Sequence, residues 1–396
     1  MSAATTSGAG AGGPGQVRQA PRRPSMAEIM RAQADPAAAR RLNEEMTQNA
    51  YQQQGAASGS ASHTLILQLG SARKPSGDPT AEHDPPPGLG AGPMLPLVTP
   101  LQQPAHEEAA PGPPPQMQQM QGRMLIFWGC GEHAGPGQPL VIDMSTLSQG
   151  GGKLGELMRS LAITPMQPPS PARNATYGEW PNAQANTSVP ADGSLQGEHT
   201  IKGNYSPEIR FSLAADQDFL PPIQITSNQK NPSGSAALGW RHVDGAQGYL
   251  ITVSGAQSPG QIVMWTSSAV EASGFALPEY LSDGEIARLV GSHVLLPASE
   301  TSCTVPAEVT AAVGMGSYRM VAYGGETNIS YPPRPPAPQP WDIAWQVKIR
   351  YRAATGGVLG MDMNSMMGGQ GQGGPGAPPP SQPQPRPRNP FNPFGG

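Results

Sequence analysis

Met124-Leu125-Ile126-Phe127-Trp128 and Tyr249-Leu250-Ile251-Thr252-Val253 are short apolar runs, rich in aromatic and β-branched residues, with glycine close by. Runs of this length and composition read as strands. The first passes through Gly129-Cys130-Gly131 and a Gly/Pro turn into Pro139-Leu140-Val141-Ile142, a hairpin signal. Working outward, His63–Leu69, Ala236–Val243, Ile262–Trp265, Ser317–Tyr323 and Trp345–Tyr351 have the same strand composition, and Met94–Val98 suits an edge strand. Short helices are expected at about Gly155–Leu161 and Asp283–Val290.

Around these runs, four landmarks recur in one order. Leu125-Ile126 with Pro136-Gly137-Gln138 and Val141 is echoed by Leu250-Ile251 with Pro259-Gly260-Gln261 and Val263. Gly155-Glu156-Leu157-Met158-Arg159 is echoed by Gly284-Glu285-Ile286-Ala287-Arg288. Val189-Pro190-Ala191 is echoed by Val305-Pro306-Ala307, and Ile209-Arg210-Phe211 by Ile349-Arg350-Tyr351. The shared order predicts an internal duplication. The expected fold is mainly β: two tandem, duplicated β-sandwich-like domains, each with a short helix, over residues 63–213 and 214–354. The first domain would carry a Pro-rich loop over 75–115.

The flanks differ in character. Residues 1–62 are expected to form a disordered arm with short marginal helices: Ser25 and Glu28 make a capping-box spacing, and Asp35-Pro36 starts a weak stripe of Ala38, Leu42, Met46 and Ala50. Residues 355–396 read as a disordered Gly/Met/Pro-rich tail. Gly 50 and Pro 48 in a chain of 396 residues supply these low-complexity stretches. With 13% charged residues, a net charge of -4 and no basic run, the chain has no electrostatic footprint for nucleic acid. No apolar stretch is long enough for a transmembrane helix, and no signal peptide is visible in the sequence as given. Scarce Lys beside abundant Arg suggests a GC-rich bacterial source.

Leu238-Gly239-Trp240 followed by Ala246-Gln247-Gly248-Tyr249-Leu250-Ile251 resembles the fibronectin type III pattern, a strand Trp followed by a small-residue turn and a strand Tyr. That resemblance implies a sandwich core containing Trp240 and Tyr249. The strings GRMLIFWGCGEHAGPGQPLVID, from Gly122, and GNYSPEIRFSLAADQDFLPP, from Gly203, resemble segments of uncharacterised exported proteins of Gram-negative bacteria. This implies a periplasmic or secreted location, with the cytoplasm as the alternative.

Few residues carry chemistry. Cys130 and Cys303 form one long-range bridge if the compartment is oxidising; otherwise Cys130 reads as a buried strand cysteine. Cys130 and His133 are within reach of one metal, although a site needs three or four ligands. Met361, Met363, Met366 and Met367 have the soft thioethers that Cu(I) prefers, and the plainer reading is a Met-containing tail. No cofactor is expected. Gly150-Gly151-Gly152-Lys153 lacks the Ser/Thr of a phosphate loop, and no nucleophile elbow or zinc-protease helix occurs. The seven His are scattered singly. Of the six Trp, Trp180 and Trp341 lie in Pro-flanked loops and are the candidates for surface binding. Pro332–Pro340 and the tail from Pro378 carry PxxP spacing.

The functional expectation is a non-enzymatic exported or cell-envelope protein with a binding or structural role, its partner another envelope protein or a saccharide. The alternatives are a cytoplasmic scaffold recruiting through its Pro-rich tail, and a copper-handling protein or enzyme.

Overall fold

Strands buried on one face alternate in side-chain character, and strands sandwiched between two layers do not. Ile209–Leu213 alternates strictly between buried and exposed residues, whereas Tyr249, Leu250, Ile251 and Val253 are all buried. The second pattern marks the middle of the molecule. The computed structural model describes residues 1–7, 61–100, 122–144, 156, 161–163, 166–258, 260–271, 277–336 and 339–361.

In chain order the strands begin with β1 (Ser2–Thr6), β2 (Ser62–Ser71), β3 (Ala81–Asp84), β4 (Leu95–Pro96), β5 (Arg123–Trp128) and β6 (Leu140–Asp143). Then come β7 (Thr176–Trp180), β8 (Gly197–Gly203), β9 (Ile209–Leu213), β10 (Ile225–Lys230), β11 (Ala236–Trp240), β12 (Gly248–Gly255) and β13 (Gln261–Thr266). Helix α1 (Asp283–Gly291), β14 (Leu296–Pro297), β15 (Ser302–Val305), helix α2 (Ala307–Val313), β16 (Ser317–Tyr331) and β17 (Trp345–Val358) complete the order.

Among the described residues the strands make three sheets. A ten-stranded sheet runs β6-β5-β13-β12-β16-β17-β1-β2-β7, with β14 added to β12. Beside it stand a three-stranded sheet, β10-β11-β15, and a four-stranded sheet, β4-β3-β8-β9. One continuous apolar core joins residues of all three. Leu238, Trp240 and Val305 of the three-stranded sheet share it with Tyr249, Ile251, Val263 and Trp265 of the large one. Trp240 meets Tyr249 edge to face at 5.6 Å, and the Tyr249 hydroxyl accepts from the Val243 backbone N–H.

The opposite face of the large sheet is covered by α1. Leu250, Val321 and Tyr323 point to that side and pack with Ile286 and Leu289 of the helix. Sequence dictates the helix locally: the Ser282 side chain caps the Glu285 N–H, Asp283 and Glu285 sit in the first turn, and Arg288 sits in the last. Ile286 and Leu289, three apart, supply its buried stripe. Helix α1 thus covers apolar residues that a two-layer sandwich would expose.

Several expectations hold. The chain is mainly β; the Arg123–Trp128 and Leu140–Asp143 strands form an antiparallel hairpin; and Asp283–Gly291 is a helix. The arrangement differs from a tandem pair. Strands from both sides of residue 213 share the ten-stranded sheet, and Met1–Met361 is one compact unit. The paired landmarks occupy different places. Leu125-Ile126 lies in β5, parallel to β13, while Leu250-Ile251 lies in β12, antiparallel to the other edge of the same strand. Ile209–Phe211 is in the edge strand of the four-stranded sheet, and Ile349–Tyr351 is central in the large one. Short apolar strands bounded by turns recur because all half-buried strands obey the same pattern, so shared order alone does not specify equivalent pairing. The start of the expected disordered arm is also corrected: Ser2–Thr6 is a central strand, its first four residues buried. The remaining arm from residue 8 to 60, most of Gly155–Leu161, and the tail beyond Met361 lie outside the described residues.

The burial pattern sets a contrast in stability. Trp265, fully buried where the sheets meet, should cost about 3–5 kcal/mol when changed to Ala. Val141, 53% exposed on the outermost strand, should change stability by less than about 0.5 kcal/mol. Denaturant midpoints of the two variants check this ordering.

Candidate functional site

Three places gather the residues with chemical or recognition potential. The first is the loop after β5. Gly129 and Gly131 bracket Cys130, and the loop is pinned from three directions. The Gly131 N–H donates to the Thr304 carbonyl (2.8 Å), the Trp265 indole N–H to the Gly129 carbonyl (3.0 Å), and the Ala307 N–H to the Glu132 carbonyl (2.9 Å). Cys130 is disulfide-bonded to Cys303 of β15, with Cα atoms 5.3 Å apart across a sequence separation of 173. The bridge therefore ties the large sheet to the three-stranded sheet. His133 leans on the first turn of α2, its Nδ1 3.1 Å from Glu308 Oε1, while the other Glu308 oxygen accepts from the Ala134 N–H. That backbone hydrogen bond, with help from His133, holds the Glu308 carboxyl below its ordinary range.

This geometry bears on the metal candidates. The Cys130 sulfur is committed to Cys303, and His133 faces a single carboxylate. Among the described residues, no group of three or more His, Cys, Asp and Glu could hold a metal ion. Met361 ends the described chain, its carbonyl accepting from the Asn228 side chain, and Met363, Met366 and Met367 lie outside the described residues.

The second place is the tip of the β16–β17 hairpin. The hairpin bulges between Tyr323 and Glu326, where Gly325 adopts φ 72°. A Cβ there would lie 1.9 Å from the Asp283 carboxylate, so only glycine fits. Asp283 uses the gap to accept from the Glu326 N–H and from Gln247. Beyond the bulge, β12 no longer pairs with β16, and the two arms run on as a pair to Tyr331 and Trp345. Tyr331 stacks on Trp345 at 5.7 Å. The Trp341 indole N–H donates to the Pro332 carbonyl, and the Arg334 guanidinium sits 5.6 Å from the Trp341 ring centroid. Tyr331 is 56% and Ile343 41% exposed. Arg334 is exposed as well, while Trp341 and Trp345 are half-buried against their neighbours; Trp, Tyr and Arg are the residue types that dominate binding interfaces.

Trp180, the other surface-binding candidate, is corrected. It ends β7, pairs with Leu67 of β2 and is 1% exposed within the main core. Its flanking proline follows the strand end, so a loop-like composition concealed a buried position.

The third place was not visible in the sequence. His83 and His199, 116 residues apart, lie fully buried on neighbouring strands β3 and β8, Nε2 to Nδ1 at 2.9 Å. His199 stacks in turn on Phe211 of β9 at 4.8 Å. A carbonyl can only accept, so the contact of His199 Nε2 with the Leu195 carbonyl (2.7 Å) assigns its proton to Nε2. His199 Nδ1 then accepts from His83 Nε2–H. His83 Nδ1 is left as a buried lone pair without a hydrogen-bond partner among the described residues. The Leu195 carbonyl is itself fixed, because Asp218 accepts from the Leu195 N–H and the Ser194 hydroxyl. Burial, with the His199 neighbour contributing, lowers His83 to about 3, and burial also lowers His199.

Compared with known proteins, the chain matches no family model, no curated protein and no solved structure. No helix among the described residues is long and apolar enough to cross a membrane.

Two measurements test the site descriptions. Both buried imidazoles are neutral when folded and take up protons below about 6.5 when unfolded, so unfolding consumes protons in acid. Their contribution to stability is complete above about pH 6.5. For His83 it falls as pH drops toward 3, by up to about 1.4 kcal/mol per pH unit, and His199 acts in the same direction. His83→Phe should flatten that slope by about one proton between about pH 4 and 6, read from urea unfolding at several pH values. In acrylamide quenching, Trp341→Phe should remove fluorescence that is quenched more readily than the fluorescence removed by Trp180→Phe, since Trp341 is half-buried and Trp180 fully buried. Equal effects would place the two indoles in similar surroundings.

Proposed function

We propose that this chain is a non-enzymatic bacterial protein of the cell envelope or exterior, with a binding or structural role exercised through the aromatic hairpin tip. The observation that carries the reading is the bridge between Cys130 and Cys303. Together these are both cysteines of the chain, and long-range disulfides persist where the compartment is oxidising. Closing so long a loop restricts the unfolded chain by roughly 5 kcal/mol in the entropic account. The bridge thus suits a protein that folds once and then endures outside the reach of cytoplasmic repair.

The folded core supports the same reading. Its three-stranded sheet, β10-β11-β15, beside β13-β12-β16-β17, with Trp240 and Tyr249 in the shared core, is compatible with the proposed sandwich reading. Such sandwiches serve as rigid mounts for binding loops. The β16–β17 tip is such a loop, carrying Tyr331, Arg334 and Trp341 outward on a paired stem. A partner protein of the envelope is the occupant this mixture of Trp, Tyr and Arg favours.

The compartment is tested by alkylating thiols in intact cells of the source bacterium before lysis, then counting modified cysteines by mass. An exported protein shows no modification until it is reduced, and two modifications afterwards. Two modifications without reduction would place the chain in the cytoplasm and end the reading. Replacing both cysteines by Ala should lower stability by roughly 2–5 kcal/mol. For the tip, Trp341→Ala should weaken sedimentation of the purified chain with isolated envelopes about 30-fold or more, the loss typical of a hot-spot residue. An unchanged binding curve would remove the tip from the account.

A further inference from the structure

A sheet that is not closed into a barrel ends in edge strands, whose outer N–H and C=O groups are a template for another strand unless they are blunted or covered. Most edges of this fold are. Strand β4 is two residues long, and one of them is Pro96. Glu179 of β7 exchanges both backbone hydrogen bonds with Val98. Strand β10 bulges between Ile225 and Ser227, and its Asn228 side chain binds the chain at the end of β17 through the Val358 carbonyl and the Gly360 N–H. Strand β15 is met by the Gly131 N–H at its Thr304 carbonyl and by the disulfide at Cys303. Strand β6 is four residues long, follows Pro139 and ends on the acid Asp143.

Strand β9 has no such device. It ends the four-stranded sheet, pairs with β8 from Ile209↔Ile201 to Leu213↔Gly197 without a register shift, and contains no proline. Ile209, Phe211 and Leu213 are buried, while Arg210 and Ser212 are exposed. Among the described residues, no backbone group pairs with its outer edge. Its one charge, Arg210, is countered by Glu208 beside it. Self-pairing has one register that suits every side chain. In an antiparallel pair centred on Phe211, Phe211 meets its own copy, Ile209 meets Leu213, and Arg210 meets Ser212. The apolar positions continue the buried face, and the arginine faces a hydroxyl. A slip of one residue would set buried positions opposite exposed ones. Centring on Arg210 would set two guanidinium groups opposite one another, which is unfavourable.

We propose that β9 is a dimerisation edge, across which two copies of this chain join their four-stranded sheets into one continuous sheet. The partner is this chain itself, and the contact is isologous, each copy offering Ile209–Leu213. Main-chain hydrogen bonds supply the affinity, and the alternation of buried and exposed side chains fixes the register. A contact of five residues per copy is small, so the dimer exchanges readily with monomer. The inference does not depend on the proposed compartment or on the hairpin tip.

Sedimentation equilibrium of the purified full-length chain, its disulfide intact, should show monomer–dimer exchange between about 1 and about 100 µM. The register is read with Arg210→Cys and Ser212→Cys, both at exposed positions that leave the core untouched. Differently tagged full-length copies carrying one change each are mixed and oxidised, and the link is located by peptide mass. The expected product is a covalent dimer bearing both tags, at least about 10-fold more abundant than the dimer formed by two Ser212→Cys copies. Opposite positions bring Cβ atoms to about 4.5–5.5 Å, close to disulfide reach, whereas diagonal positions lie about 7–8 Å apart. A chain that stays monomeric throughout that concentration range overturns the proposal. So does a dimer in which both cysteine pairs cross-link equally or neither does, because its copies then meet elsewhere.

Discussion

Five residues with very little side-chain volume, Ser2–Thr6, carry the backbone pairing that makes one sheet out of two. On one side of them stand β13-β12-β16-β17 and the three-stranded sheet packed against it. On the other stand β2 and β7, with the four-stranded β4-β3-β8-β9 sheet sharing the same core. Buried N–H and C=O groups cannot be left unpaired without a cost comparable to a lost hydrogen bond each. The facing edges of β17 and β2 therefore demand a strand between them. That demand explains why a segment of Ser, Ala and Thr, with almost no hydrophobic drive of its own, is held at the centre of the molecule.

The layers around this sheet follow from which faces would otherwise meet water. The inner face of β12 and β16 is closed by β10-β11-β15, and Trp265, Trp240 and Tyr249 are buried in the core they share. The outer face of the same strands is closed by α1 through Ile286 and Leu289. The disulfide acts at a different point. Cys130 lies just beyond β5, near the margin of the large sheet, and Cys303 lies in β15 of the opposing layer. Together with the Gly131–Thr304 and Glu132–Ala307 backbone contacts, it clamps two layers at the margin, where fewer neighbours exist to do so.

What could be read from sequence divides along physical lines. Strands such as Arg123–Trp128 and Gly248–Gly255 announced themselves because their own residues bring enough apolar surface to be buried wherever they go. Helix α1 was expected as well, and the structure shows a local reason for it, its Ser282 cap and its buried Ile286 and Leu289. Strand β1 was not, since Ala and Thr in a Gly-rich context have no periodicity, and its burial comes from partners about 60 and 350 residues away. Trp180 was misplaced for the converse reason. Proline beside an aromatic suggests a loop, but position in a sheet is decided by the neighbour, here Leu67. The echoed landmarks correctly marked strands, yet equivalence of pairing is a property of three dimensions. One side of β13 received β5 in parallel and the other received β12 antiparallel.

The same distinction explains why the molecule's most chemically distinctive group and its recognition surface are far apart in kind. His83 and His199 are stacked with Phe211 across three strands and used as flat, neutral rings, with the single proton each carries already donated. An imidazole held so far from charging is poorly poised for acid–base work near neutral pH. Its bare Nδ1 is a liability the fold tolerates in return for ring stacking and a fixed cross-strand contact. Tyr331, Arg334 and Trp341 are the opposite case: they stand on a paired stem away from the core, Tyr331 and Arg334 exposed and Trp341 half-buried. The interior imidazoles are thus paired and stacked, while the hairpin tip keeps Tyr331 and Arg334 exposed. The bridge and the central strand β1 both join layers or half-sheets that would otherwise meet only through side-chain packing.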